Sequence, residues 1–108
     1  MGTADFTVDV RRERDATIVA PVGELDLVTV GALREELGRH GAGGVLVLDL
    51  RGLSFMDSAG VTLIVEQQRR AEREGVDFRA IRGTGLVQQL LEVTGLAGHL
   101  HWTEDPSV

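Results

Sequence analysis

The chain has 108 residues, 43% hydrophobic and 26% charged, which suits one self-sufficient globular domain and excludes a disordered chain. Its 17 acidic against 11 basic residues leave a formal charge of -6, which argues against nucleic acid as a partner, because phosphate backbones are held by clustered basic side chains. There is no cysteine and every basic residue is arginine, so disulfides, thiolate metal sites, Walker-type phosphate loops and Schiff-base lysines are excluded. The start "MGTADFTVDV" carries no basic and apolar export segment, and no run of about 18 apolar residues occurs. That reads as a cytoplasmic protein with no membrane partner. Phe6 stands where a myristoylation signal wants serine or threonine.

In chain order, Phe6, Val8 and Val10 alternate with polar residues, and "TIVAPV" resumes strand character after "RRERDA". Residues 5–10 and 17–22 are expected to pair as an antiparallel hairpin, with Pro21 at an edge or strand end. After the loop "GELDL", Thr29 can cap a helix, Val28 and Leu33 have hydrophobic-staple spacing, and Val30, Leu33 and Leu37 form its apolar stripe. "VLVLDL" at 45–50 reads as a central strand covered on both faces. A second helix begins near Ser58 and closes at Gly75. "DFRAI" is a further strand; Thr84 starts a third helix with Leu86, Val87, Leu90 and Leu91 inward; "HLHW" is a short last strand and "TEDPSV" a frayed tail. The expected fold class is α/β, a single domain over 1–108 with its core at about 5–102, in the order β-β-α-β-α-β-α-β. It has a mixed sheet, an N-terminal hairpin and helices packed against the sheet.

The segment "SFMDSAG" at 54–60 sets a serine between an acid and two small residues where a helix starts. Its hydroxyl can cap the helix, act as a nucleophile or carry a phosphate. Asp57 fits the cap better, because Met56 and Val61 then take the staple positions. Ser58 then lies in the first turn, among backbone N–H groups without intrahelical partners, where an anion is favoured. Ala59 and Gly60 leave the hydroxyl unshielded. Gly60 costs about 1 kcal/mol against alanine in a helix, so it has a reason to be there, either a partner's approach or close packing on a neighbouring loop.

These residues carry a resemblance. "LDLRGLSFMDSAGVTLIV", "VGELDLVTVGALREEL" and "LLEVTGLAGHLHW" resemble the anti-sigma factor antagonist (anti-anti-sigma factor) family, the STAS-domain proteins, over residues 5–102. The resemblance implies a transcription regulator of stress response or sporulation; the apolar residues are accounted for by the core, which reads as a monomer, and the residues themselves offer no catalytic, cofactor or metal site. Its implied partners are an anti-sigma factor that is a serine kinase, and a serine phosphatase. Unmodified protein would bind the kinase and release a sigma factor, and phosphorylation at Ser58 would end the binding. Glu24, Asp26, Asp57, Ser58, Ala59 and Gly60 are the implied partner-binding residues, Glu24 and Asp26 with Asp57 forming an acidic docking face. Ala59 replaces the serine the family often has there. Thr62, on the same helical side as Ser58, is a secondary acceptor candidate; Ser54 and Thr84 are minor ones.

Competing chemistry is thin. "MDSAG" lacks the first glycine of a hydrolase nucleophile elbow. Asp49 near a strand end suggests a phosphoacceptor receiver, but the lysine such domains need is absent, so Asp49 reads as an acid bonding to nearby backbone. His99 and His101 alternate onto one strand face without a third ligand. "GTG" at 83–85 has Gln88 where a dinucleotide fingerprint needs glycine. The alternative function is a STAS scaffold or accessory protein without a sigma-factor role.

Overall fold

In the computed structural model, which describes residues 5–106, β1 (Thr7–Glu13) and β2 (Ala16–Leu25) pair antiparallel, from Thr7 opposite Val22 to Glu13 opposite Ala16. Polar Arg11 to Glu13 therefore extend the strand, and the turn is only Arg14 and Asp15. Arg14 takes φ 61° to make it, a left-handed conformation that costs a residue with a Cβ about 1–2 kcal/mol. β3 (Val45–Asp49) lies parallel between β2 and β5 (Asp77–Ile81), so the sheet order is β1-β2-β3-β5. Beyond its pairing with β3, the far end of β2 pairs in parallel with β4 (Leu53–Met56). Pro21 falls between those two paired stretches, where its missing N–H costs no bond to β3 or β4.

Three helices follow the sequence periodicity: α1 (Val30–Gly38), α2 (Ser58–Glu74) and α3 (Gly85–Val93). Val30, Leu33 and Leu37 of α1 and Leu63 and Ile64 of α2 are buried with Val19, Leu46 and Leu48 of the sheet. Successive strand residues face opposite ways, so Ile18, Val47 and Ile81 form a second, smaller cluster with Ala16 on the reverse face. Gly75 ends α2 at φ 69° in the left-handed region, as expected of a helix-closing glycine.

The α/β class holds, with local differences. β4 was not expected: in "LSFM" the two end residues are buried and the two middle ones exposed, so no alternation marks it. The expected last strand shrinks to a bridge between Trp102 and Ala80, preceded by a short 3-10 turn, Leu96–His99. His99 therefore lies in that turn and shares no strand face with His101. Leu86 is 70% exposed and Val28 71%, so Leu86 does not face inward and Val28 forms no staple. Residues 103–105 are tied down, contrary to the frayed tail expected there. Thr103 N–H donates to the Ala80 carbonyl at 2.9 Å, and Asp105 takes ion pairs from Arg11 and Arg51 at 2.7 Å each. The rest of "TEDPSV" beyond Pro106 lies outside the described residues.

Candidate functional site

β4 delivers the site. Because it runs parallel to the end of β2, with Glu24 opposite Phe55 and Leu25 opposite Met56, the loops leaving both strands emerge on one rim. Asp57 N–H donates to the Leu25 carbonyl at 3.2 Å and seals that junction. Asp57 then caps α2: its Oδ1 accepts from Ala59 N–H at 2.9 Å. This is the cap the sequence favours.

Ser58 is thereby relieved of capping. It is exposed at the first position of α2, and among the described residues no hydrogen bond holds its hydroxyl. Such a hydroxyl is open to a second protein, and unpaired N–H groups of the first helical turn favour an anion there. Thr62 is exposed one turn further along α2.

Gly60 is buried, and a Cβ on it would lie 2.5 Å from Met56 Cγ, 2.8 Å from Met56 Sδ and 3.0 Å from Leu25 Cδ2. Gly60 therefore lets α2 settle against Met56 and Leu25, which is the close packing the sequence leaves open. Ala59 is half-buried beside it.

The acids divide as well. Glu24 is exposed, but Asp26 is half-buried and committed to its own loop: its Oδ1 accepts from Val28 N–H at 2.9 Å and Thr29 N–H at 3.1 Å. Thr29 does not cap α1 with its side chain. Its hydroxyl donates to the Glu24 carbonyl at 2.7 Å and accepts from Asp26 N–H at 3.0 Å, which knots the loop instead.

That knotted loop turns Leu27 and Val28 outward, 80% and 71% exposed. They form one wall of an open depression of about 640 Å³, completed by Val30, Gly31 and Arg34 of α1 and by Asp57, Ser58, Ala59 and Thr62. Across from Ser58 it is walled by Leu27, Val28, Val30 and Gly31 with Arg34; of the three acids expected on a docking face, Asp57 is among its lining residues and Glu24 and Asp26 are not. Leu27 and Val28 were missed as surface residues because Val28 was assigned to a staple. Two adjacent large apolar residues in a loop closed by an acid and a threonine were the available signal.

Asp49 is 6% exposed at the end of β3 and is not among the residues lining this depression. Its oxygens take Arg51 Nε at 3.0 Å and Nη2 at 2.8 Å, and Arg51 N–H adds a third bond at 3.0 Å. Burial pushes its carboxyl up, and the Arg51 bonds outweigh that, leaving it below its ordinary value. Among the described residues, no three or more histidine, cysteine or carboxylate side chains group to hold a metal, and no helix is long and apolar enough to cross a membrane.

Comparison with known proteins agrees with this geometry. The STAS domain model matches residues 7–106. The chain is 30% identical over 88 residues to the anti-sigma-B factor antagonist of Staphylococcus aureus (strain NCTC 8325 / PS 47), covering 80% of this chain and 82% of that one. It is 27% identical over 93 residues to that of Bacillus subtilis (strain 168), covering 85% of each. In fold it is similar to an anti-sigma factor antagonist from Mycobacterium paratuberculosis, with TM-score 0.82 and 24% identity over 93% of this chain and 86% of that one. It is also similar to the unphosphorylated form of the anti-sigma factor antagonist SpoIIAA, with TM-score 0.73 and 22% identity over 94% and 90%. SpoIIAA in its phosphorylated form superposes with TM-score 0.68 at 22% identity, over 94% of each chain. The chain belongs to the STAS-domain family and, within it, to the anti-sigma factor antagonists, a class of regulatory proteins.

Proposed function

We propose that the unmodified protein binds an anti-sigma factor that is also a serine kinase, so releasing a sigma factor, and that phosphorylation of Ser58 by that kinase ends the binding. A serine phosphatase would restore the active form, in the cytoplasm. The observation that carries this reading is the uncommitted Ser58 hydroxyl at the start of α2, with Asp57 already serving as the cap. The partner would dock on the rim shared by Glu24, the Leu27–Val28 wall, Asp57, Ser58 and Ala59, with Asp26 holding the loop in shape. Thr62 is the secondary acceptor. That SpoIIAA exists in phosphorylated and unphosphorylated forms of similar fold supports a switch that works at the surface.

A phosphate adds about 1.5–2 negative charges, and two unit charges 4 Å apart interact by about 1 kcal/mol in water and about 4 kcal/mol at intermediate dielectric. Loss of about 2.8 kcal/mol weakens binding about 100-fold. Repulsion and a blocked contact therefore suffice, and no refolding is needed. The test is calorimetric titration of an anti-sigma kinase with the unmodified protein and with protein carrying phosphoserine at 58. The expected result is tight binding of the first and about 100-fold weaker binding of the second; equal affinities, or none in either form, would contradict it.

A further inference from the structure

We propose that Arg34 receives the phosphate on Ser58, leaving Glu66 to do so, and that the captured phosphate sits in the part of the depression between Ser58 and Arg34. This rests on Ser58 being the modified residue.

Among the described residues, Arg34 is the one cation lining the depression that Ser58 also lines. The two helices lie side by side and run the same way: Arg34 of α1 reaches Glu66 of α2, and Arg70 one turn further reaches the Leu37 and His40 carbonyls. Long helical side chains lean back toward the N-terminal turn. On α1 that direction leads into the depression. The way is open, because a Cβ at Gly31, one turn before Arg34, would meet nothing within 4 Å, and Thr62 is the small exposed residue between Ser58 and Glu66 on α2.

Arg34 is also loosely held. Its Nε and Nη2 both lie 3.1 Å from the same Glu66 oxygen, Oε1, and the two side chains are 46% and 48% exposed. This is a solvent-screened pair whose two donors crowd one acceptor. A phosphate offers three oxygens and nearly twice the charge, and the guanidinium fork matches it in the plane. The other charges nearby act the opposite way: Asp57, whose Oδ1 is occupied by Ala59 N–H, and Glu24 and Asp26 on the neighbouring loop all oppose a dianion. Arg34 is thus the side chain that can join the N–H groups opening α2 in favouring the ionised phosphate. Modification would then take up part of the docking space beside Ser58 as well as adding charge.

The test uses protein with phosphoserine inserted genetically at position 58, so it needs no kinase. The phosphate is titrated by ³¹P NMR in that protein and in Arg34→Gln, Glu66→Gln and the double variant, all at exposed positions. Arg34→Gln should raise the phosphate's second pKa by about half a pH unit or more, and Glu66→Gln should lower it by freeing Arg34. In the Arg34→Gln background the Glu66→Gln effect should shrink to the small direct effect of the lost carboxylate charge, and in the protein that keeps Arg34 its Nε–Hε resonance should move in step with the phosphate. The same phosphate titration with and without Arg34, or an undiminished Glu66→Gln effect in the double variant, would overturn the proposal. Neither result bears on whether a kinase modifies Ser58, so failure of the switch reading would be seen separately.

Discussion

The backbone N–H of Asp57 donates to the Leu25 carbonyl at 3.2 Å, and this one bond ties the loop after β2 to the start of α2. The same residue's side chain caps the helix through Ala59 N–H. Asp57 thus fixes Ser58 from both sides while leaving its hydroxyl free.

The cap has a measurable worth. Asp57→Ala should lower stability by about 1 kcal/mol, whereas Asp57→Asn, which keeps the accepting oxygen, should cost only a few tenths. Urea unfolding of the three proteins separates the cases; an equal loss in both variants would point to charge and away from capping.

Gly60→Ala reverses the usual helix preference. Alanine gains about 1 kcal/mol in propensity, yet its Cβ would sit 2.5 Å from Met56 Cγ, and overpacking of this kind costs about 1–3 kcal/mol. The variant should therefore be no more stable than the parent and most often less so, as thermal unfolding would show. A gain of a full 1 kcal/mol would contradict the close packing.

These two neighbours show how much of the site was legible in the sequence. The Asp57 cap followed from local rules, because capping depends on residues adjacent in the chain. The burial of Gly60 did not, because it depends on Leu25, which only the β2–β4 pairing brings near. The helices were readable from their apolar periods, and β3 from its nearly continuous apolar run. β4 was not, since four residues buried only at their ends carry no period. Thr29 reads as a cap because it precedes α1, while its hydroxyl is taken by the Glu24 carbonyl, five residues back in the chain. Leu86 sits one position from the buried Val87, and a rotation of that size lies below what a nine-residue helix pattern resolves.

Asp49 predicts a pH dependence. Burial raises its carboxyl, but the Arg51 side-chain and backbone bonds prevail and hold it below its ordinary 3.8. A folded value below the unfolded one means that ionised Asp49 contributes stability above pH 3.8, and that this is lost as pH falls through the folded value. Since Arg51 is half-exposed, the contribution is about 1 kcal/mol. Asp49→Asn should therefore be less stable than the parent at pH 7, and in urea melts the gap should begin to narrow below about pH 4 and close only once the pH falls below the folded value. A gap that stays constant with pH would contradict the ionic account.

Leu27 and Val28 should matter for binding and not for folding. Each is largely exposed, so Leu27→Ser and Val28→Ser should shift stability by no more than about 0.5 kcal/mol. Beside Ser58 they should each weaken docking of the anti-sigma kinase by about tenfold. Calorimetric affinities compared with unfolding curves check both halves of this prediction.

The most direct measurement incubates the purified protein with an anti-sigma kinase and ATP and locates the phosphate by mass spectrometry, with Ser58→Ala alongside. The account predicts one phosphate on Ser58, absent from the variant, release of the modified protein from the kinase, and an unchanged circular dichroism spectrum. Tight binding without phosphate transfer, or phosphate placed elsewhere and retained in Ser58→Ala, would contradict it.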